Sequence, residues 1–203
     1  MNPERSADRP SQPIEQLGRL SELANLTESA NFTPNWQQFK QVCGHPFPTD
    51  FQLYVQHFPP GAFGFLTVIH PYEPWLAGDP YRYLEEINFR SEPGNDIPNY
   101  YRWGTQPGEL ITWGTVNGES ELCWRITGSD PDRWTCVVAD VRDESGEEYP
   151  GGMTELLLDV LCATGRVKSL SYLDEIRPML FEAFDADFPP ADPKTSPSGR
   201  VAH

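Results

Sequence analysis

Residues 109–140 read ELITWGTVNGESELCWRITGSDPDRWTCVVAD and carry the strongest structural signal in the chain. Asn117-Gly118 is typical of a type I′ hairpin turn, because both central residues of that turn need a positive φ. Alternating apolar residues on both sides of the dipeptide predict two antiparallel strands, with Trp113 opposite Leu122. A slip of one residue would turn the tryptophans of both strands toward solvent, so the turn and the pattern predict the same register.

The same register places Ile111 opposite Trp124, and Ile126 continues their face of the sheet. The opposite face is mixed in polarity. After a polar loop, residues 134–141 are rich in the valine and aromatic residues that favour a third strand. We therefore expect a three-stranded meander that packs one face against the core.

The composition is that of an acidic chain with many aromatic residues. Its 203 residues carry a formal net charge of −15, and 12% of them are aromatic. This length is sufficient for one well-buried domain. The negative charge argues against direct binding to nucleic acid or to an anionic membrane, because both need a basic patch. It is compatible with a basic protein partner, with mimicry of nucleic acid, or with solubility alone.

The cysteines and the apolar runs indicate the compartment. The cysteines form no CxxC pair, which favours free, buried thiols in a reducing environment; they are Cys43, Cys123, Cys136 and Cys162. No apolar run reaches the roughly 20 residues of a membrane span, and the first ten residues lack the apolar stretch of a signal peptide. We expect a cytoplasmic protein.

The rest of the chain predicts mainly helices and loops. We expect an N-terminal tail and helix over 1–30, a single domain over 31–184 and a disordered tail over 185–203. Helices are predicted near Pro13, after Thr33-Pro34, from Thr49, over Tyr81 to Arg90, over Thr154 to Thr164 with Gly165 at the C′ position, and over Tyr172 to Phe184. Phe63 to Ile69 is predicted to form a strand, residues 71–108 a long surface excursion, and residues 143–152 an acidic turn.

The chain shows no motif for catalysis, a metal or a cofactor. No histidine has metal-ligand spacing with another histidine or cysteine, and the Cys43-Gly44-His45 triplet is typical of loop packing. No nucleophile elbow or phosphate-binding glycine loop is present. Carboxylates that are distant in sequence could still meet in space, as they do in glycosidases. The sequence therefore favours a non-enzymatic protein without cofactor, and leaves open a small hydrolase.

An ordered set of features resembles a known family. It comprises a helix with Trp36, the stretch from Gly44 to Phe51, the strand from Phe63 to Pro71, and the hairpin with Trp113-Gly114, Gly118 and Trp124. The turn Pro131-Asp132-Arg133-Trp134 and the leucine-rich helix from Met153 to Gly165 follow. Together these features are similar to the SMI1/KNR4 family of the SUKH superfamily. The resemblance implies an α+β fold in which helices pack on one face of a curved antiparallel sheet.

The resemblance also implies a function. Bacterial members act as immunity proteins that neutralise a cognate toxin, often a nuclease, and fungal members act as regulatory adaptors. We expect a protein-binding module, either an immunity protein that occludes a basic toxin domain or an intracellular adaptor. The candidate contact residues are acidic residues at the ends of the meander strands and two tryptophans of the long excursion: Asp130, Asp132, Asp143, Glu144, Glu147, Glu148, Trp75 and Trp103.

Overall fold

The computed structural model describes residues 12–89, 103–140 and 145–184. In this part the chain forms an α+β fold built on a single antiparallel sheet, which is open and not strongly curled. The strands are β1 (Gly61–Phe63), β2 (Leu66–Val68), β3 (Leu110–Val116), β4 (Ser120–Arg125), β5 (Thr135–Asp140), β6 (Ser145–Tyr149) and β7 (Phe181–Ala183). Their order across the sheet is β6-β5-β4-β3-β2-β1-β7.

The helices share one hydrophobic core with the sheet. They are α1 (Gln12–Leu23), α2 (Trp36–Cys43), α3 (Thr49–His57), α4 (Pro80–Phe89) and α5 (Met153–Leu161), with 3₁₀ segments at Pro131–Arg133 and Lys168–Ile176. Leu20 of α1, Phe51 of α3 and Leu157 of α5 are fully buried in the same core as Trp113 and Trp124. The predicted α+β class and antiparallel sheet are thus confirmed.

The central hairpin differs from the prediction in its register. Asn117 and Gly118 both have positive φ, as expected, but the loop contains a third residue, so that Val116 pairs with Ser120. Trp113 is an extra residue in β3, and Gly114 pairs with Leu122 in its place. The predicted Trp113–Leu122 pair is therefore wrong, whereas Ile111 does pair with Trp124 because the bulge compensates for the longer loop.

The second face of the sheet is less polar and more buried than the prediction indicates. Leu110, Cys123, Val137 and Ala139 form a separate buried cluster, with the half-buried Trp103 packed against it. Every residue of β3 is buried. The alternation of apolar and polar residues did not predict this burial, because threonine, glycine and cysteine do not mark a position clearly as apolar or polar.

Several predicted elements are confirmed, and others are shorter or of another type. Helices occur near Pro13, from Thr49 and over most of residues 81–90. The helix predicted after Thr33-Pro34 begins only at Trp36, because Asn35 supplies the cap and accepts a hydrogen bond from the Gln38 backbone N–H.

The strand predicted over Phe63 to Ile69 is instead the β1–β2 hairpin. Gly64 has a φ of 58° and turns the chain between the two short strands. The predicted acidic turn likewise contains a strand, since residues 145–149 form the edge strand β6. Part of the predicted surface excursion is buried, because Leu76 and Tyr83 belong to the core.

The C-terminal predictions need the largest corrections. The helix α5 ends at Leu161, and Ala163 rather than Gly165 is the first left-handed residue after it. A 3₁₀ segment and the strand β7 replace the helix predicted over Tyr172 to Phe184. Cys162 is exposed, although the other three cysteines are buried as expected.

The predicted domain limits remain a prediction. Leu17 and Leu20 of α1 are buried in the main core, and α1 packs against α3 and α5. The predicted disordered tail over 185–203 lies outside the described residues, as do Asp143 and Glu144. None of the described helices is both long and apolar enough to cross a membrane.

Candidate functional site

A cleft of about 410 Å³ lies where the first turns of α1, α3 and α5 meet the 3₁₀ turn Pro131–Arg133. This volume is within the range of about 300–1,000 Å³ that is common for ligand pockets. Its wall combines carboxylates, one guanidinium, a glutamine and two indoles; they belong to Asp50, Asp132, Glu155, Arg133, Gln16, Trp124 and Trp134. The cleft is thus acidic and partly aromatic.

Asp132 reaches the cleft because it caps a helix that is distant in sequence. The residue before α3 is Pro48, which has no side-chain acceptor for the free N–H groups of the first turn. Asp132 supplies that acceptor. Its Oδ1 lies 2.6 Å from the Thr49 nitrogen, and its Oδ2 accepts the Thr49 hydroxyl at 2.8 Å. A carboxylate in this position is also stabilised by the positive end of the helix dipole.

Asp50 caps α5 in the same way. Gly152 precedes this helix and offers no side chain, so the Thr154 N–H donates to Asp50 Oδ2 at 3.1 Å. The Phe51 N–H donates to Oδ1 at 2.8 Å. Asp50 is only 8% exposed. Burial raises its pKa; the amide hydrogen bonds oppose this shift, and the negative charge of Asp132 adds to it.

Two glycines allow the chain to pass close to the carboxylates of the cleft. A Cβ on Gly152 would lie 2.7 Å from Asp50 Oδ2, and a Cβ on Gly151 would lie 2.5 Å from Glu155 Oε2. Glu155 itself accepts a hydrogen bond from Arg166 at 3.0 Å. The 150–152 loop therefore needs glycine for its close approach to these carboxylates.

The aromatic wall contains a donor without an acceptor. Trp124 is 1% exposed, and its Nε1–H has no hydrogen-bond partner among the described residues. The neighbouring Trp134 is satisfied, since its Nε1–H donates to the Gly128 carbonyl at 2.8 Å. Trp124 packs edge-on against Phe51, with ring centroids 5.1 Å apart, and this contact fixes the position of its indole.

No protein-family model, curated protein or solved structure matches this chain. Membership of the SMI1/KNR4 family therefore remains a prediction from the resemblance.

Of the acidic residues predicted to contact a partner, Asp130 and Asp132 lie at or beside the cleft. Asp132 is in its wall, whereas Asp130 is exposed and caps the 3₁₀ turn by accepting the Asp132 N–H at 3.1 Å. The sequence prediction placed both in one turn, which the structure confirms. It did not reveal that Asp132 also bridges to α3, because Thr49 is 83 positions away.

Glu147 and Glu148 lie on the edge strand β6 and have structural partners. Glu147 accepts the backbone N–H groups of Lys168 and Ser169 at 3.1 and 2.7 Å. Partial burial would raise the pKa of Glu147, but these hydrogen bonds outweigh it and hold that pKa below its usual value. Glu148 forms an ion pair with Arg125 on β4.

The two predicted contact tryptophans are partly buried rather than fully exposed. Trp75 packs against the main core and lies 6.4 Å from the ring of Phe184. Trp103 donates its Nε1–H to the Thr112 hydroxyl at 3.0 Å and covers the second buried cluster. Neither residue lines the cleft.

Outside the cleft, the described residues offer little reactive chemistry. They contain no group of three or more histidine, cysteine or acidic side chains that could hold a metal ion. Burial raises the pKa of Cys43 to about 12, which keeps its thiol protonated and weakly nucleophilic. His45 beside it is 4% exposed, and its Nδ1 lies 2.9 Å from the Pro46 carbonyl.

Sequence reasoning missed Asp50 and Glu155 as residues of the site. A signal for Asp50 was present, because an aspartate directly after Pro48-Thr49 stands in the first turn of a predicted helix. From this pattern, the carboxylate is expected to interact favourably with the dipole of its own helix, α3. It gives no sign that the carboxylate instead caps α5, which is 104 positions away.

Proposed function

We propose that this protein is a non-enzymatic protein-binding module of the SMI1/KNR4 type. In this proposal it has the SUKH-like arrangement of helices on one face of a curved sheet. It acts in the cytoplasm as an immunity protein and neutralises a cognate bacterial toxin by occluding the toxin's functional face. That the partner is a toxin follows from the family resemblance described above. That this toxin is a basic protein, such as a nuclease, follows from the negative charge of the chain.

The observation that carries the proposal is the excess of negative charge in the cleft, whose described wall holds three acidic residues and one arginine, Arg133. Asp50 and Asp132 both lie in its wall, and neither forms an ion pair with a described residue. Asp50 is buried and Asp132 is exposed. A buried carboxylate is normally paired with a cation or with hydrogen-bond donors. Asp50 and Asp132 have hydrogen-bond donors but no cation within ion-pair distance, although Arg133 also lines the cleft. The remaining excess of negative charge favours a positively charged surface on the partner. The net charge of −15 would also speed the encounter with such a partner.

The same carboxylates are poorly arranged for catalysis. Asp50 holds the first turn of α5, and Asp132 holds the first turn of α3. A carboxylate that moves a proton during a reaction would have to exchange these hydrogen bonds in every cycle. Fixed caps of this kind support a role in shaping a binding surface.

A small hydrolase is the second candidate, and one observation favours it. Two carboxylates approach each other in a cleft, and burial raises the pKa of one of them, as in sites that pair a general acid with a base. Glycoside hydrolysis would be the reaction class. Hydrolysis of chromogenic glycosides that is lost in Asp132→Asn would support this candidate over the binding module.

The test of the proposed function is capture of a partner by the full chain. Tagged protein is incubated with the native lysate at low and at high salt, and the bound proteins are identified by mass spectrometry. A stoichiometric basic protein with a toxin-like domain, released at high salt, is the expected result. Capture of a housekeeping enzyme or an envelope complex would favour the adaptor, and absence of any partner would contradict both binding functions.

Charge-reversal variants then locate the contact. Asp130→Lys changes an exposed residue at the rim, and Glu148→Lys changes the distant edge strand β6. We expect Asp130→Lys to weaken partner binding and to reduce its dependence on salt, because in this proposal the partner contacts the surface around the cleft. Equal effects of the two variants would indicate a general attraction of charge rather than a contact at the cleft.

A further inference from the structure

We propose that residues 70–79 form an acid-sensitive segment, which is released from the core when the ring of His70 takes up a second proton. The segment follows β2, ends where α4 begins and carries Trp75, one of the predicted contact residues. His70 holds the segment to α3. This inference concerns the conformation of the chain and does not depend on the proposed binding function.

The hydrogen bonds of the His70 ring fit only its neutral form. The Tyr72 backbone N–H lies 3.1 Å from Nδ1, and because an amide N–H can only donate, Nδ1 is the unprotonated nitrogen. Nε2 therefore carries the proton and donates it to the Val55 carbonyl of α3 at 3.2 Å. A second proton, on Nδ1, would remove the acceptor of the Tyr72 N–H and bring two donors face to face.

The surroundings of the ring also disfavour a positive charge. His70 is 0% exposed, and the ring of Phe32 packs edge-on against it, with centroids 5.2 Å apart. Burial lowers the pKa of His70 to about 4, although hydrogen bonds to the Val55 and Phe58 carbonyls oppose this shift. Protonation in the closed segment therefore costs both a hydrogen bond and the burial of a charge.

The carboxylates of the segment are held away from the ring nitrogens. Glu73 is 2% exposed, and its Oε1 accepts the backbone N–H of His70 at 3.0 Å. Asp79 accepts the Tyr81 N–H at 2.9 Å in the first turn of α4. In these bonds both carboxylates meet backbone amides rather than the imidazole.

The titratable groups on the neighbouring helices stay neutral or lie against other residues. Burial raises the pKa of Tyr54 on α3 and of Tyr83 on α4, so both hydroxyls remain uncharged in acid. His57 of α3 packs its ring against Phe58, with centroids 5.7 Å apart. The acid response of the segment is therefore assigned to His70.

The segment is a self-contained turn, which allows it to open while the sheet stays folded. The Ala77 N–H donates to the Glu73 carbonyl at 2.9 Å, and the Gly78 N–H donates to the Pro71 carbonyl at 2.8 Å. These bonds join the segment to itself, whereas the His70 Nε2–H bond joins it to α3. Units of this kind open at a lower free energy than the whole domain.

The effect of pH on opening follows from the two pKa values of His70. Because the pKa is lowered in the closed segment, the closed form is favoured at neutral pH and loses stability as the pH falls. Leu76 is 2% exposed, and its burial adds to the stability of the closed form at neutral pH. With a pKa of about 6.5 in the open segment and of about 4 in the closed one, opening becomes about 20-fold more favourable between pH 7 and pH 5.

The test is amide hydrogen exchange of the full chain labelled with ¹⁵N, at pH 7 and at pH 5, with rates corrected for the intrinsic pH dependence of exchange. We expect the protection factors of the Glu73, Ala77 and Gly78 amides to fall about 20-fold between the two pH values. At urea concentrations well below the unfolding midpoint, exchange of these amides should not depend on urea, because a local opening exposes little surface.

Two variants show whether His70 is responsible. His70→Gln keeps an oxygen acceptor and N–H donors but does not titrate, so the fall in protection between pH 7 and pH 5 should disappear. His57→Gln is the matched control, because His57 is a half-buried histidine of α3 whose ring lies against Phe58, and the 20-fold fall should remain. If His70→Gln does not fold, the ring ¹⁵N signals of His70 in the natural protein replace it, and they should show a single tautomer at pH 7 with the proton on Nε2.

Four results would overturn the inference. The first two are equal protection at pH 7 and pH 5, and an equal fall in the natural protein and in His70→Gln. The third is exchange that rises with urea as steeply as that of the β4 and β5 amides, because the segment would then open only when the whole domain unfolds. The fourth is a His70 ring with its proton on Nδ1 at pH 7.

Discussion

Replacing Asp50 by alanine removes the link between α3 and α5. The variant leaves the N–H groups of Thr154 and Phe51 without their acceptor in a site where water has little access. Loss of a helix cap costs about 0.5–2 kcal/mol, and each hydrogen bond to a charged acceptor contributes about 1.5–3 kcal/mol. Removal of the penalty for burying the carboxylate offsets part of this loss. We expect the free energy of unfolding to fall by about 2–4 kcal/mol.

The assay is urea unfolding followed by tryptophan fluorescence, with far-ultraviolet circular dichroism as a second probe. Thermal unfolding should show a Tm lower by roughly 4–16 °C, since 1 kcal/mol corresponds to about 2–4 °C in a chain of this size. Glu85→Ala is the control, because Glu85 is exposed on α4 and its change should stay within about 0.5 kcal/mol. An Asp50→Ala variant that loses less than about 1 kcal/mol would refute the capping argument.

The conservative variant Asp50→Asn tests the charge separately from the hydrogen bonds. Burial raises the pKa of Asp50 in the folded protein, so the folded state holds its proton more tightly than the unfolded state does. The contribution of Asp50 to stability is therefore full below its unfolded pKa and is lost as the pH rises through the folded pKa. The stability of the natural protein relative to Asp50→Asn should rise as the pH falls toward 4. A constant difference would show that Asp50 titrates in the same way in both states.

Three further predictions follow from buried or crowded positions. His70 is fully buried, and burial lowers its pKa to about 4. The stability of the protein should therefore fall as the pH drops below 6.5, by about 2 kcal/mol at pH 5. Urea midpoints of the natural protein and of His70→Gln between pH 7 and 5 measure this loss, and an equal pH dependence of the two proteins would contradict it. Gly152→Ala should lower the free energy of unfolding by about 1–3 kcal/mol, because the new Cβ would lie 2.7 Å from Asp50 Oδ2. An unchanged Tm in thermal unfolding would show that the 150–152 loop can move to accommodate the methyl group. Gly114→Ala should weaken the β2–β3 pairing, because its Cβ would lie 2.7 Å from the Thr67 carbonyl oxygen, and faster amide hydrogen exchange in β2 is the expected sign; unchanged exchange would argue against a close approach.

The sequence was most informative where local chemistry and hydrophobic pattern agreed. Asn117-Gly118 has the positive φ values that its turn requires, and the buried tryptophans of β3 and β4 lie on the expected core face. The helix from Thr49 begins where predicted, because Pro48 and the apolar stripe mark its start. In these segments the local preference and the tertiary packing favour the same conformation.

The errors arise where distant contacts outweigh local preference. The strand β7 has three residues and pairs with β1, about 120 positions earlier, so that no local pattern marks it. The bulge at Trp113 depends on the length of the loop and on the pairing of Gly114 beside β2, neither of which the alternation of residues reveals. A single residue in a loop thus changed the register of half of the predicted hairpin.

The candidate site was predictable only in part. Asp132 was identified as a surface residue of a turn, and it does lie in the wall of the cleft. Asp50 and Trp124 were assigned to a helix and to the core, and the cleft becomes visible only when α3, α5 and the 3₁₀ turn are brought together. Capping bonds between residues 83 and 104 positions apart assemble it, and no spacing within the sequence encodes such contacts.

The most direct test of the central claim is the activity of the captured partner when it is titrated with the purified full chain. The proposed immunity function predicts that the toxic activity falls in proportion to added protein and is abolished at a molar ratio of about one. It also predicts that high salt restores the activity, because attraction between opposite charges contributes to the complex. A partner whose activity is unchanged at saturating amounts of this protein would contradict the claim.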